Sequence, residues 1–188
     1  MQVHETPLPP ARLMALEKHG DERGFFARMF CAREIEAVGL EHNFVQVNNS
    51  FSARRATLRG LHYQLPPAAE AKLVRCVRGT LYDAILDLRP DSPSFGKSFG
   101  VELSAENRLM IYVPRGFAHA ILTLEDKSEA FYFSSAFYTP EQERGIRWND
   151  PRFAIPWPIE PAEISAKDRS WPDFDPVFHG SEKLVGLR

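Results

Sequence analysis

The chain has 188 residues, of which 44% are hydrophobic and 26% are charged, and its formal net charge is −2. This length and composition are typical of one soluble globular domain, and the small net charge argues against a nucleic-acid or anionic-membrane binder. No stretch reaches the ~20 apolar residues of a membrane span, and residues 1–10 lack the pattern of a signal peptide. We therefore expect neither nucleic acid nor membrane as a partner.

The first third of the chain predicts little regular structure. Residues 1–20 contain three prolines, which oppose helix formation, so we expect an extended arm there. Residues 21–26 predict a turn that enters a strand. Residues 32–38 form the one predicted helix, and Gly39 is its natural C-terminal end.

From residue 43 onward the pattern is almost entirely that of β-strands. Apolar runs of five to eight residues alternate with clusters of Gly, Pro, Asp and Asn, which favours an all-β sandwich or barrel. The predicted strands are 44–48, 73–77, 81–88, 98–103, 109–113, 118–122 and 130–138. Residues 149–188 are rich in Pro and Trp, and we expect them to wrap the barrel as an irregular tail. We interpret residues 1–188 as a single domain.

The two cysteines, Cys31 and Cys76, are too few for a disulfide framework. Cys76 lies in a run typical of a strand, which predicts a buried thiol that behaves as a small hydrophobe. This cysteine usage favours the reducing cytoplasm as the compartment.

Residues 58–64 combine a cation, a glycine, an imidazole, a phenol and an amide in one short strand-like run. Since side chains alternate along a strand, Gly60, His62 and Gln64 would share one face, and Arg59 would lie on the other. A face with this composition is not typical of an apolar core, which indicates a polar site above it. A buried histidine held by one structural neighbour remains an equally good interpretation.

Six polar residues could together bind a phosphorylated ligand, because guanidinium groups bind phosphate oxygens through two parallel hydrogen bonds. Taken singly, each of the basic residues among them could equally be a solvated surface group. The six are Arg23, Gln46, Asn48, Arg59, Lys72 and Lys167.

A metal site is not favoured by the sequence. His62 and Gln64 could begin a ligand set, but no second histidine lies within the same strand; His119 is far along the chain and could in principle join. Nucleophile-elbow, dinucleotide-binding and phosphate-loop motifs are absent from the sequence. Acid–base chemistry by His62 remains, with a carboxylate to orient the ring and a phenol such as that of Tyr132 opposite.

These residues occur within a longer series of motifs between about residues 20 and 172. The most specific are Leu58–Gln64 and Pro114–His119, and they are accompanied by Lys72, Tyr132 and 165–168. With this series the chain resembles the dTDP-4-dehydrorhamnose 3,5-epimerase family. The resemblance implies a cupin-type jelly-roll barrel, a homodimer, and a reaction that needs neither metal nor organic cofactor.

The resemblance also implies a substrate and a set of roles. The substrate would be a nucleotide-diphosphate 4-keto-6-deoxyhexose that is inverted at C3 and C5. The implied catalytic residues are His62 as the base, Asp168 as its orienting carboxylate, Tyr132 as the acid and Lys72 at the enolate oxygen. The implied substrate contacts are Arg23, Arg28, Gln46, Asn48, Arg59, Lys72, His119, Tyr138, Glu143 and Lys167.

Two positions depart from the family pattern. Arg28 stands where relatives often carry Glu, which reverses a charge expected near the substrate, and Ala120 stands where a glycine often follows the His119 motif. The first departure bears on substrate selection; the second is a small change of volume.

Three alternatives remain beside the double epimerase. A relative could invert only one centre or act on another nucleotide sugar, and retention of Tyr132 favours the double reaction. A non-catalytic sugar-binding cupin would need only the cations, so retention of His62, Lys72 and Asp168 argues against it. A metal-dependent cupin dioxygenase would be revealed by metal analysis of the protein.

Overall fold

The computed structural model describes residues 1–187 and contains two facing β-sheets. The first sheet has the strand order β1-β2-β10-β7-β12-β5, and the second has the order β13-β6-β11-β8-β9 with β14 paired to β6. The first seven strands are β1 (Gln2–Glu5), β2 (Arg12–Ala15), β3 (His19–Asp21), β4 (Gly24–Phe26), β5 (Gln46–Ser52), β6 (Thr57–Gln64) and β7 (Lys72–Arg78). The remaining strands are β8 (Thr80–Asp87), β9 (Ser98–Ser104), β10 (Met110–Val113), β11 (Phe117–Thr123), β12 (Ser128–Ser134), β13 (Glu143–Gly145) and β14 (Glu163–Ile164).

Helices are few and short in the described part of the chain. They are α1 (Ala32–Ala37), α2 (Ala166–Arg169), and two 3₁₀ helices at Pro140–Gln142 and Ser181–Leu184. Among residues 1–187, no helix is long and apolar enough to span a membrane.

The main core lies between the two sheets. Val74 and Cys76 of β7 and Ile111 of β10 point inward from the first sheet, where they meet Ile85 of β8 and Ile121 of β11 from the second. All are buried, and the alternation of side chains along each strand is what places them on one face. Burial of this apolar surface is the main term that holds the two sheets together.

The outer face of each sheet is covered by a different part of the chain. Ile35 of α1 and Leu40 pack on Leu73 and Met110 of the first sheet. On the second sheet, Phe153 and Leu184 from the C-terminal tail pack on strands β6, β8 and β11. The tail therefore lies against the same strand that carries His62.

The all-β jelly-roll prediction is confirmed, with differences at several element boundaries. Residues 1–20, expected as an extended arm, include β1 and β2, and β2 pairs with β10 in the first sheet. The predicted strand 130–138 ends at Ser134, and helix α2 was not predicted because four residues are too few for a periodic pattern. Arg188, the last residue of the predicted tail, lies outside the described residues.

Gly60 lies where β6 and β11 come into closest contact. Pairing between these strands shifts register between His119 and Ile121, opposite Gly60. Gly60 has a φ of +132°, which favours glycine, and a Cβ built there would lie 2.4 Å from the Cβ of Ala120. The absence of a side chain at Gly60 thus permits the register shift between β6 and β11, which sets the directions of the neighbouring side chains.

We expect Gly60→Ala to lower the free energy of unfolding by about 3 kcal/mol, because backbone strain and a steric clash act together. Gly24→Ala is the matched control, since Gly24 has a φ of +128° with open space around it. In Gly24→Ala only backbone strain acts, so its free energy of unfolding should fall by about 1 kcal/mol. Urea unfolding of the three proteins measures the difference, and equal losses in the two variants would contradict the steric argument.

Candidate active site

The predicted catalytic residues line one cavity of about 540 Å³ between the two sheets. A smaller cavity of about 270 Å³ adjoins it and shares His62, Lys72 and Tyr132. The larger cavity also contains Arg59, His119, Lys167 and Asp168, and the smaller one contains Gln46, Asn48, Tyr138 and Glu143. The structure therefore brings together residues that are separated by more than a hundred positions in sequence.

Strand β6 contributes Thr57, Leu58, Arg59 and His62 to the cavity, and the sequence interpretation of its faces was wrong for Arg59. Arg59 was expected on the face opposite His62, but both line the cavity. His62 pairs with His119 and Arg59 pairs with Ile121, so β6 has one residue more than β11 between these two pairs. The extra residue turns Arg59 to the same side of the strand as His62. Arg59 is held by hydrogen bonds from its guanidinium to the Ser52 hydroxyl and the Phe51 carbonyl.

His62 forms a short hydrogen bond with Asp168, with 2.6 Å between Nε2 and Oδ1. Burial is the largest influence on the pKa of Asp168 and acts to raise it, but the hydrogen bond and charge of His62, together with the contacts from Ser165 and the Gly60 amide, hold that pKa below its ordinary value. An ionised carboxylate only accepts hydrogen bonds, so Nε2 carries the proton of this bond, and Nδ1 is the ring nitrogen that a neutral imidazole can use to accept a proton. His62 is thereby prepared to act as a base through Nδ1.

The C-terminal tail positions Asp168 through two local structures. Strand β14 pairs in parallel with the start of β6, which brings the following residues beside His62. Ser165 then caps helix α2, because its hydroxyl accepts a hydrogen bond from the Asp168 amide at 3.0 Å. Ser165 is a supporting residue whose role could have been recognised from the Ser-x-x-Asp spacing.

A second histidine–carboxylate pair lies directly across from the first. His119 stands opposite His62 in the strand pairing, and its Nε2 lies 2.9 Å from Oδ2 of Asp83, which is fully buried. His119 is 57 positions from His62 in the sequence, and strand pairing closes this gap. Even so, residues 1–187 contain no group of three or more His, Cys, Asp or Glu side chains arranged to hold a metal ion.

Tyr132 and Lys72 enter the cavity from the first sheet, opposite the His62 strand. They lie on the adjacent strands β12 and β7. The Tyr132 side chain packs against the main core, and the Lys72 ammonium lies 3.1 Å from Oε1 of Glu70. A cation and a phenol thus face the imidazole across the space between the sheets.

Tyr138, Glu143 and Lys167 form a polar cluster at the mouth. Glu143 accepts hydrogen bonds from the Tyr138 hydroxyl at 2.7 Å and from the Lys167 ammonium at 2.5 Å. Burial acts to raise the pKa of Glu143, yet these two donors keep it below the ordinary value. The hydrogen bond to Glu143 raises the pKa of Tyr138, so its phenol stays protonated. Gln46 joins the cluster by accepting from the Tyr138 amide at 2.7 Å.

Two of the predicted substrate contacts lie away from the cavity. Arg23 is 89% exposed at the β3–β4 turn and pairs with Asp21. Arg28 pairs with Glu34 at 2.9 Å, beside the N-terminal amine of Met1. Within one chain, therefore, neither residue joins the other predicted contacts.

The model of the dTDP-4-dehydrorhamnose 3,5-epimerase family matches residues 5–176 of the chain. The chain belongs to this family. A curated family member from Shigella flexneri is 46% identical over 169 residues, which cover 89% of this chain and 93% of that protein. The match spans both sheets and the segment that carries Asp168.

Two solved structures are similar to this chain over most of its length. The dTDP-6-deoxy-D-glucose-3,5-epimerase of Legionella pneumophila, in complex with dTDP-4-keto-L-rhamnose, has a TM-score of 0.84 and 37% identity, and covers 90% of each chain. A double mutant of ChmJ, a 3′-monoepimerase from Streptomyces bikiniensis in complex with dTDP, has a TM-score of 0.84 and 31% identity, and covers 97% of this chain and 91% of that one. Its two replaced residues, a histidine and a tyrosine, lie 70 positions apart, as His62 and Tyr132 do here. A tyrosine at this spacing therefore occurs in a single-centre family member as well.

The ionised state of Asp168 predicts how stability depends on pH. Its pKa is lower in the folded protein than the ordinary value of 3.8, so ionisation favours folding above that pH, and this contribution is lost as the pH falls through the folded pKa. Asp168→Asn should lower the free energy of unfolding by about 2 kcal/mol at pH 7. The difference from the parent should shrink toward pH 3.

Urea unfolding between pH 7 and pH 3 measures this dependence. Glu106→Gln, on an exposed turn, is the control and should differ little from the parent at every pH. A difference between Asp168→Asn and the parent that stays constant down to pH 3 would contradict the ionised hydrogen bond to His62.

Proposed function

We infer that the protein epimerises dTDP-4-dehydro-6-deoxy-D-glucose at C3 and C5, which yields dTDP-4-dehydro-L-rhamnose. The observation that carries this inference is the His62–Asp168 pair in one cavity with Lys72 and Tyr132. Membership of the epimerase family supports it independently of the geometry. The protein is accordingly an isomerase.

The reaction begins with removal of a proton beside the C4 ketone. Nδ1 of His62 takes the proton from C3 or C5, and the electron pair of the broken C–H bond moves into an enolate with its charge on O4. The Lys72 ammonium donates a hydrogen bond to O4, where negative charge grows during the step. Asp168 stabilises the imidazolium through Nε2, as the carboxylate does in a catalytic triad.

The reaction ends with delivery of a proton to the other face of the same carbon. The Tyr132 hydroxyl comes from the sheet opposite His62, which supports Tyr132 as the group that protonates that face. The new C–H bond inverts the centre and the C4 ketone re-forms. Tyr132 and His62 then return to their starting protonation states by exchange with water. Acid–base groups of this kind each contribute roughly 10²- to 10⁴-fold to a rate.

The polar residues around this centre would bind the rest of the substrate. Arg59 lies at the mouth as a cation suited to the diphosphate. Tyr138 offers a phenol ring at the surface, where a planar base can stack on it. The remaining predicted contacts are Gln46, Asn48, His119, Glu143 and Lys167.

We also propose that the protein is a homodimer and acts in the cytoplasm. Strand β5 is an edge strand, and its outer-face residues Val47 and Phe51 are about half exposed. Val77 extends the exposed apolar surface along β7, and a patch of this kind supports contact with a second copy. Arg23 and Arg28 remain predicted substrate contacts that such an assembly would have to bring to the cavity. Both cysteines are free thiols, which fits a reducing compartment.

His62→Ala should abolish deuterium uptake at both C3 and C5, because one base serves both centres. The measurement is proton NMR of the 4-keto substrate with the protein in deuterated water. His42→Ala, which removes an imidazole outside the catalytic cavity, should leave uptake unchanged. Asp168→Ala should slow uptake less than His62→Ala, since Asp168 orients the base without removing the proton. Rapid exchange at either carbon with His62→Ala would refute the assignment.

Inversion of a single centre is the second candidate, and similarity to the 3′-monoepimerase favours it. The same NMR measurement with the parent protein separates the two, because a single-centre enzyme exchanges and inverts at one carbon only. The presence of Tyr132 does not decide between them, since the monoepimerase carries a tyrosine at the same spacing.

Tyr132→Phe should retain base-driven exchange and form little doubly inverted product, since the ring still packs but the acid is gone. Tyr82→Phe is the control, because the Tyr82 hydroxyl donates to the Pro156 carbonyl outside the cavity. Product composition by NMR measures the outcome. A normal yield of inverted product with Tyr132→Phe would reduce Tyr132 to a packing residue.

A further inference from the structure

A buried carboxylate that has no role in the reaction described above lies directly beside Lys72. Oε1 of Glu70 is 3.1 Å from the Lys72 ammonium, and the two side chains are only 6% and 14% exposed. Glu70 lies two positions before Lys72, the first residue of β7, so residues 70 and 72 point to the same side of the extended chain. Ala71 between them is fixed to Ser135 by two hydrogen bonds, one from its amide and one to its carbonyl.

The second carboxylate oxygen of Glu70 accepts a hydrogen bond from the Gln64 side-chain amide, and the other neighbours of that amide fix its orientation. The Gln64 amide nitrogen donates to Oε2 of Glu70 at 2.8 Å and also to the carbonyls of Ala68 and Phe137. The Gln64 amide oxygen accepts from the backbone amide of Thr139 at 2.6 Å. Since every neighbour of the Gln64 nitrogen is an acceptor, the amide has one orientation, and Glu70 faces a donor at each of its two oxygens.

Only a carboxylate can satisfy both of these donors at residue 70. A glutamine there would have one accepting oxygen and one donating NH₂ group, so either Lys72 or Gln64 would face a donor. Two donors that face each other repel, so the side chain of residue 70 would move away from its present position. The charge of Glu70 also compensates the buried Lys72 cation.

We propose that Glu70 is a positioning residue that holds the Lys72 ammonium against the cavity for contact with O4. One N–H of the ammonium is used by Glu70, which leaves two to donate into the cavity. Through Gln64, the same carboxylate connects Lys72 to residues 137–139, which carry Tyr138 of the cluster at the mouth. The inference rests on the proposed function, because it requires that Lys72 contact the enolate oxygen.

A fixed ammonium matters most in the transition state. Charge on O4 grows only when the C–H bond breaks, so a correctly placed donor lowers the barrier more than it strengthens substrate binding. Loss of Glu70 should therefore lower kcat, with KM and dTDP affinity little changed. A merely structural residue would instead reduce the amount of folded enzyme and leave the kcat of the folded fraction unaltered.

The first test compares Glu70→Gln with Glu41→Gln. Glu41 forms a partly buried ion pair with Arg115, 2.6 Å away and outside the catalytic cavity, so its replacement removes a similar charge. We expect kcat to fall about 10- to 100-fold in Glu70→Gln, the range typical of residues that orient a functional group from behind. Glu41→Gln should keep its kcat, and calorimetry should give unchanged dTDP affinity for both variants.

The second test is a double-mutant cycle with Lys72→Ala. If Glu70 acts through Lys72, adding Glu70→Gln to Lys72→Ala should cause no further loss of kcat. A kcat loss in the double variant equal to the product of the two single losses would overturn the inference, and so would a normal kcat in Glu70→Gln. In both cases the role of Lys72 stands. A normal kcat in Lys72→Ala would instead overturn the proposed role of Lys72 itself, so the two failures are distinguishable.

Discussion

The arrangement of the site depends on one contact, the hydrogen bond between His62 and Asp168. It joins residues 106 positions apart, and it links strand β6 of the second sheet to the tail that packs against that sheet. The contact requires both partners in defined states, with Asp168 ionised and Nε2 of His62 protonated. Because Asp168 is buried, an unpaired carboxylate there would be costly, so the hydrogen bond from His62 stabilises the tail in this position.

The apolar cores explain why such a contact can persist. The inner core joins the sheets, and the tail covers the outer face of the second sheet with Phe153 and Leu184. Strand β6 is consequently packed on both sides, and its polar residues cannot move independently of the barrel. Rigid placement of this kind is what acid–base catalysis needs, since small displacements of the reacting groups weaken proton transfer.

Buried carboxylates recur throughout the molecule, and each one has a defined partner. Asp87 accepts hydrogen bonds from Arg89, Ser92 and Ser94, and these hold its pKa below the ordinary value even though burial acts to raise it. Asp83 contacts His119, and Glu70 contacts Lys72 and Gln64. The first of these networks lies in the turn after β8 and supports the fold, whereas the other two support side chains that line the cavity. Hydrogen-bonded buried carboxylates therefore stabilise the fold at Asp87 and orient cavity side chains at Asp83 and Glu70.

The sequence by itself determined the fold class and most of the cavity. Alternating apolar runs specify strands locally, so β7 to β11 were predicted within one or two residues, and the motifs around His62 and His119 indicated the family.

Tertiary structure decided which residues meet. The register shift opposite Gly60 placed Arg59 beside His62, contrary to simple alternation, and strand pairing set His119 opposite His62. The partnership of Glu70 with Lys72 and Gln64 is also a tertiary result, because strands β6 and β7 and the loop at 137–139 must all pack before those donors converge on one carboxylate. Local sequence sets the conformation of each segment, whereas contacts between distant segments arise only from the free energy of packing the whole chain.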